Sequence, residues 1–351
     1  MREPRRLLVM SPNWLGDAVM ALPSIADLRR AWPTAHVVVA ARASVAAMFE
    51  RAPGVDEVLT LTWTGKRGDR PAFLGDVHRL RAAACDTALL LPNSFAAAWV
   101  VRRAGVSQRW GYRGDMRSWL LTLAADKPRG SLHQGAYYQR LVRELGVANG
   151  PLVPVLHAWE SDQAAARDLL RRHGWDGRRR LVALAPGAAY GTAKQWLPEY
   201  FTTLVGDLVG DDAATCVLVG GQGDAATTAS VRASLPPALQ PHVIDAAGAT
   251  TLHGLIGVLS LADVCVSNDS GAMHVAAALG VSVVALFGPT REYETSPLAR
   301  IERPARVLTH AVDCRPCMLR ECPIDHRCMS RLLPAEVHGA VREVTLHRRN
   351  A

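Results

Sequence analysis

No apolar run in this chain reaches the roughly eighteen residues that a membrane-spanning helix needs, so no span is expected. The N-terminus, M-R-E-P-R-R-L-L-V-M, lacks the long apolar core and the small-residue cleavage site of a secretory signal. It reads as a first strand, and a cytoplasmic protein is the expectation. There is no long basic tail, and no aromatic RNA-recognition signature accompanies the positive charge, so nucleic acid is not the expected partner. No internal repeat of solenoid period is present.

What is present is a chain of 351 residues, 49% apolar and 21% charged, which is ordinary for a globular protein with a sizeable core and natural for two domains. The net charge of +8 is spread in pairs and triples such as Arg29 with Arg30 and Arg178 with Arg179 and Arg180. A solvated basic surface, anionic lipid headgroups and phosphorylated substrates each account for it. Of the seven cysteines, Cys85, Cys216 and Cys265 stand in apolar surroundings and read as core thiols. Cys314, Cys317, Cys322 and Cys328 form a separate cluster.

Strand signals at 6–11, 36–40, 57–61 and 87–91 alternate with helical stretches at 18–31, 44–51, 77–84, 96–104 and 133–145. That alternation predicts a parallel sheet covered by helices. A second series has strands at 181–185, 215–220, 242–245, 263–267 and 281–287, with helices at 199–209, 225–234, 252–261, 272–279 and 334–344. The expected division is an N-terminal domain over 1–155, a linker region over 156–180 and a C-terminal domain over 181–333. Proline and glycine at 149–156 lead into the linker, and a polar helix at 161–173 lies within it. Two doubly wound α/β halves predict a cleft between them.

Four loops carry polar chemistry. In the first, P-N-W-L-G-D, Asp17 stands at a helix mouth, either as its N-cap or as a general base. The loop over 185–196 combines small residues, the Thr192 hydroxyl and the Lys194 ammonium, a plausible cradle for a diphosphate. The turn G-G-Q-G-D-A-A fits G-x-G-x-x-[GA] through Gly221, Gly223 and Ala226. With Asp245 on the next strand it keeps a nicotinamide cofactor as an alternative. Asp224 in the same turn is a candidate donor ligand.

The fourth stretch, 266–290, reads as strand, polar turn, helix, strand. Ser270 and the N–H groups of Gly271 and Ala272 are the natural phosphate donors. Asp269 beside a diphosphate is repulsive, so it is expected to cap the helix or to accept sugar hydroxyls. His274, one turn in, is either a neutral hydrogen-bond donor to ligand or a satisfied core histidine.

The cysteine cluster is spaced C-x2-C-x4-C-x5-C. Four thiols at short intervals fit a structural zinc, with free thiols or a reversible disulfide as the alternatives.

Taken together, S-P-N-W-L-G-D (11–17), L-P-N-S-F (91–95), G-Y-R-G-D-M-R (111–117), P-G-A-A-Y-G-T-A-K-Q-W (186–196) and N-D-S-G-A-M-H-V-A-A-A-L (268–279) resemble glycosyltransferase family 9. These are the ADP-heptose:lipopolysaccharide heptosyltransferases, and the pattern is that of the heptosyltransferase II type. The resemblance implies a GT-B fold, an α/β architecture of two Rossmann-like domains. It implies an ADP-sugar donor on the C-terminal domain, a lipid A–core acceptor on the N-terminal domain, and inversion at the anomeric centre. It makes Asp17 the base, and Thr192, Lys194, Asp224, Asp269, Ser270, Gly271 and His274 donor-binding. Asn93, Arg113 and Arg117 become acceptor-binding. It calls on no cofactor for the chemistry and places the final helix, 334–351, back against the N-terminal domain. With a lipid-linked acceptor and a basic surface, it also implies peripheral contact with the inner leaflet.

Overall fold

The computed structural model describes residues 3–66 and 68–350, the last four of these by backbone alone. Its internal contacts divide the chain into two units, Met1–His157 and Ala158–Ala351.

In the first unit, strands β1 (Arg6–Met10), β2 (His36–Arg42), β3 (Glu57–Leu61), β4 (Thr87–Leu90), β5 (Gln108–Tyr112) and β6 (Leu123–Ala125) form one sheet in the order β3-β2-β1-β4-β5-β6. Every neighbouring pair is parallel. The chain winds outward from β1 to β3, crosses back to lay β4 beside β1, and winds outward again. The β1/β4 boundary is therefore the switch point, where loops leaving the carboxyl ends of the strands diverge.

The second unit repeats this plan. Strands β7 (Leu181–Ala185), β8 (Thr215–Leu218), β9 (Val243–Asp245), β10 (Val264–Asn268), β11 (Ser282–Phe287) and β12 (Ala305–Thr309) are ordered β12-β11-β10-β7-β8-β9. All pairs are again parallel, and the switch point lies between β7 and β10. Helices cover both faces, so the central strands are buried on both sides and read as unbroken apolar runs. Every residue of β7 and of β11 is buried.

The expected helix over 18–31 is two helices, Leu15–Met20 and Leu22–Ala31, joined at Ala21. Pro23 occupies the first turn of the second one, where its missing N–H is tolerated; inside a continuous helix it would break a hydrogen bond. The expected linker region over 156–180 is largely an ordered helix, Glu160–Arg172, packed on Leu252–Leu261. The approach is close: a Cβ on Gly257 would stand 2.3 Å from the Asp162 carbonyl oxygen.

The final helix, Pro334–Asn350, is also placed differently from expectation. It packs on helix Pro198–Gly210 and on β10, β11 and β12, within the second unit. Its apolar positions Val337, Ala340, Val341 and Val344 are spent in that core. No helix among the described residues is long and apolar enough to cross a membrane.

Candidate active site

The loops that leave β7 and β10 meet at the second unit's switch point. Asn268, at the end of β10, is fully buried and ties them together. Its Nδ2 donates to the Pro186 carbonyl at 2.6 Å, and its Oδ1 accepts from the Trp196 backbone N–H at 3.0 Å. Both ends of the lysine-bearing loop are thus fixed to one side chain. Trp196, itself buried, donates from Nε1 to the Leu332 carbonyl at 2.8 Å.

Within this frame the Thr192–Lys194 turn brings Lys194 Nζ to 2.6 Å from Asp269 Oδ2, with the side chains 13% and 6% exposed. Thr290 Oγ1 donates to the same carboxylate at 2.6 Å. The ammonium also stands 4.7 Å from the centre of the Tyr190 ring, a cation–π contact. A buried carboxylate without a counter-charge is costly; here the lysine and the threonine both satisfy it. This corrects the expectation for Asp269 as helix cap. The N-cap of helix Gly271–Ala278 is Ser270, which makes no side-chain capping bond, and the Asp269 carboxylate faces Lys194 instead.

Ser270 Oγ lies 3.0 Å from Ser267 Oγ, and Gly271 and Ala272 open the helix half-buried. His274 is 3% exposed beneath them and has partners of its own, which accords with a core histidine. Thr192 is exposed. Asp224 accepts from the Gly221 N–H at 2.8 Å. A Cβ on Gly187 would lie 2.1 Å from its carboxylate, so this aspartate seats the loop after β8 against the loop after β7. The G-x-G-x-x-[GA] match therefore follows β8, the second strand of the unit. A dinucleotide-binding turn belongs after the first. The nicotinamide reading is not favoured.

The first unit gathers its polar groups at the β1/β4 switch point. Asp17 is the third residue of helix Leu15–Met20, whose N-cap is Trp14; the N-cap reading of Asp17 is thereby corrected. It is half-buried, and its charge reaches Tyr138, whose hydroxyl is held well above its usual pKa by burial and then by Asp17. In the loop after β4, Asn93 Nδ2 donates to the Tyr137 hydroxyl at 2.8 Å, and Ser94 caps helix Phe95–Ala104.

Arg117 is fully buried. Nε and Nη2 donate to the Tyr112 carbonyl at 3.1 and 2.9 Å, Nη2 to Asn93 Oδ1 at 3.4 Å, and Nη1 to the carbonyls of Pro92 and Ser94. Burial brings its pKa down to about 10. An arginine so engaged shapes the 92–94 loop and has no face left for an acceptor phosphate, which corrects its expected role. Arg113 keeps that role open: its side chain is 61% exposed and near Asp126 at 3.3 Å.

Thr290 and Tyr137 escaped the sequence reading, because each acts through a partner distant in sequence, Asp269 and Asn93. Asn268 and Tyr190 lie within the quoted motifs, but their roles in fixing the lysine-bearing loop were not read from them. Cys85, Cys216 and Cys265 are core thiols, as expected. Cys314 and Cys317 are exposed, Cys322 half-buried and Cys328 buried, and all are free. Among the described residues no three His, Cys, Asp or Glu side chains stand as a ready metal shell.

Two successive Rossmann-type units, one with a carboxylate and the other with a lysine-bearing loop at its switch point, have the architecture of a glycosyltransferase of the GT-B fold. The model of glycosyltransferase family 9 (heptosyltransferase) matches residues 77–327, and the chain belongs to that family. Lipopolysaccharide heptosyltransferase 2 of Escherichia coli K12 is 31% identical over 316 residues, covering 87% of this chain and 88% of that protein. Lipooligosaccharide heptosyltransferase 2 of Haemophilus influenzae is 27% identical over 302 residues, covering 84% and 86%. The solved structure of E. coli ADP-heptose lps heptosyltransferase II superposes with a TM-score of 0.84 at 27% identity, covering 98% of this chain and 99% of that one.

Proposed function

We propose that the protein is an inverting heptosyltransferase of the heptosyltransferase II type, moving heptose from ADP-heptose onto the inner core of a lipopolysaccharide acceptor. The observation that carries this reading is the Lys194–Asp269 pair at the second unit's switch point, in a chain of family 9. Departure of ADP leaves negative charge growing on the β-phosphate. Lys194 and the N–H groups opening helix Gly271–Ala278 are preorganised to stabilise it. Asp17 takes the proton of the acceptor hydroxyl as the new bond forms. With a reference pKa of about 3.9 an aspartate is a weak base, and it suffices when proton transfer is concerted with attack on an oxocarbenium-like centre. A single base, without a second carboxylate as nucleophile, accords with inversion.

The chemistry calls on no cofactor. The reading includes a lipid-linked acceptor met at the inner leaflet. The exposed Phe95 and Trp119, whose ring centres lie 6.2 Å apart, together with exposed Met116 and Arg113, support that contact.

Donor competition tests the reading. The protein is mixed with a heptose-bearing lipid A–core acceptor in anionic vesicles and an equimolar set of ADP-heptose and other nucleotide-sugars. Mass detection is expected to show one added heptose, with the protein sedimenting with the vesicles. Transfer of another sugar in preference to heptose would overturn it.

A further inference from the structure

Between His310 and His326 the chain has neither regular secondary structure nor one buried side chain. An irregular segment of this length is uncommon in a compact domain unless it is functional. It is nonetheless fixed against both partners of the Lys194–Asp269 pair. Tyr190 donates its hydroxyl to the Met318 carbonyl at 2.8 Å, and the Met318 N–H donates to the Pro289 carbonyl at 2.9 Å, next to Thr290. The Ala193 N–H donates to the Arg320 carbonyl at 2.9 Å. A Cβ on Gly191 would stand 2.3 Å from that carbonyl oxygen, so a glycine is needed for Arg320 to come this close to the lysine-bearing turn.

Arg315, Arg320 and Arg327 make this stretch basic, but their charges are not equally available. Arg315 Nη2 meets Glu292 at 2.7 Å and Arg327 Nε meets Asp325 at 2.8 Å, so each spends its charge on a carboxylate. Arg320 is exposed and has no carboxylate partner among the described residues. Its guanidinium carbon stands 5.3 Å from the centre of the Tyr190 ring. The Lys194 ammonium stands 4.7 Å from the same centre. The two cations are therefore within about 10 Å of each other, one Debye length at 0.1 M salt. A guanidinium held over an aromatic ring keeps the N–H donors around its edge for another partner.

Asp269, 2.6 Å from Lys194, cancels the lysine's charge, so the pair offers a directed N–H and no net charge. A diphosphate carries several negative charges and calls for a cation beyond that pair. We infer that Arg320 is the second cation of the donor site, gripping the diphosphate of the ADP-sugar while the Tyr190 ring holds it beside Lys194. Its planar fork matches two phosphate oxygens at once, which an ammonium does not. The inference rests on the donor reading above and adds to it the group that supplies net positive charge.

ADP and adenosine binding to the full-length protein test this, with Arg320→Ala, Arg320→Lys and Lys194→Ala measured alongside. Loss of a charge-assisted contact to phosphate lowers affinity by about tenfold to a hundredfold. Arg320→Ala should raise the Kd for ADP by that factor and leave the Kd for adenosine unchanged. It should unfold at the same urea concentration, because the lysine turn is bonded by the Arg320 carbonyl, which the variant keeps. Its ADP affinity should also fall less steeply with added salt. Arg320→Lys keeps the charge without the fork and should recover part of the loss. ADP affinity that survives Arg320→Ala but not Lys194→Ala overturns the role of Arg320 and leaves the donor reading standing. Equal losses for ADP and adenosine in Arg320→Ala overturn it too, because they mark a structural role. An unaltered protein that binds no ADP overturns the donor reading, and the inference with it.

Discussion

Lys194 and Asp269 depend on each other. In Lys194→Ala the Asp269 carboxylate, 6% exposed, keeps Thr290 but loses its counter-charge. Breaking a buried pair from one side costs about 3–5 kcal/mol. Lys194→Ala should therefore unfold at clearly lower urea and bind ADP weakly, while the double change Lys194→Ala/Asp269→Ala should regain part of the stability and none of the ADP binding. An unchanged urea midpoint for the single variant would contradict the pairing. Lys194 was readable from sequence as the one ammonium in a glycine-bearing loop. Its partner was not, because the two meet only where β7 and β10 lie side by side. Arg117 shows the converse. An arginine in a polar motif looks the same whether it meets solvent or spends its donors on buried carbonyls, and only packing decides.

At the scale of elements, hydrophobic pattern located an edge strand and a central one to the residue: 57–61 and 181–185 are the observed β3 and β7. It passed over β5, β6 and β12, whose sequences Q-R-W-G-Y, L-A-A and A-R-V-L-T are short or carry polar residues. Those strands owe their state to a neighbour in the sheet more than to their own propensity. The placement of the final helix was equally hidden. Besides its apolar face, it is pinned by Asp212, which lies 2.8 Å from His338 Nε2 and 2.9 Å from Arg342 Nη2.

Burial alone would raise the Asp212 pKa. The hydrogen bonds and charges of Arg342 and His338 outweigh it and hold the carboxyl below its ordinary 3.8. A group with a depressed folded pKa contributes stability that is full above the unfolded value and is lost as pH falls through the folded one. Asp212→Asn should cost about 1–2 kcal/mol near neutrality, measured by urea unfolding. The gap to the wild-type protein should close as pH drops below 3.8. A gap that stays constant with pH would contradict the ionic account of this anchor.

At the scale of the molecule, one strand order is used twice. Each unit collects polar side chains at its own switch point, and the two sets differ in kind. The first unit presents a half-buried carboxylate on the opening turn of a helix. The second presents an ammonium paired with a buried carboxylate, beside the opening turn of a helix. Duplication of a Rossmann plan was visible in the alternation of strands and helices, because buried parallel strands read as apolar runs in either half. The division of labour came from Asp17 and Lys194, one in each half.

That division is the central claim, and Asp17→Ala tests it most directly. Heptose transfer from ADP-heptose to the core acceptor would be followed by product mass, with ADP binding measured on the same preparation. The account predicts that the variant binds ADP as the unaltered protein does, while its kcat falls by about 10²–10⁴. Transfer at an undiminished rate by Asp17→Ala would contradict it.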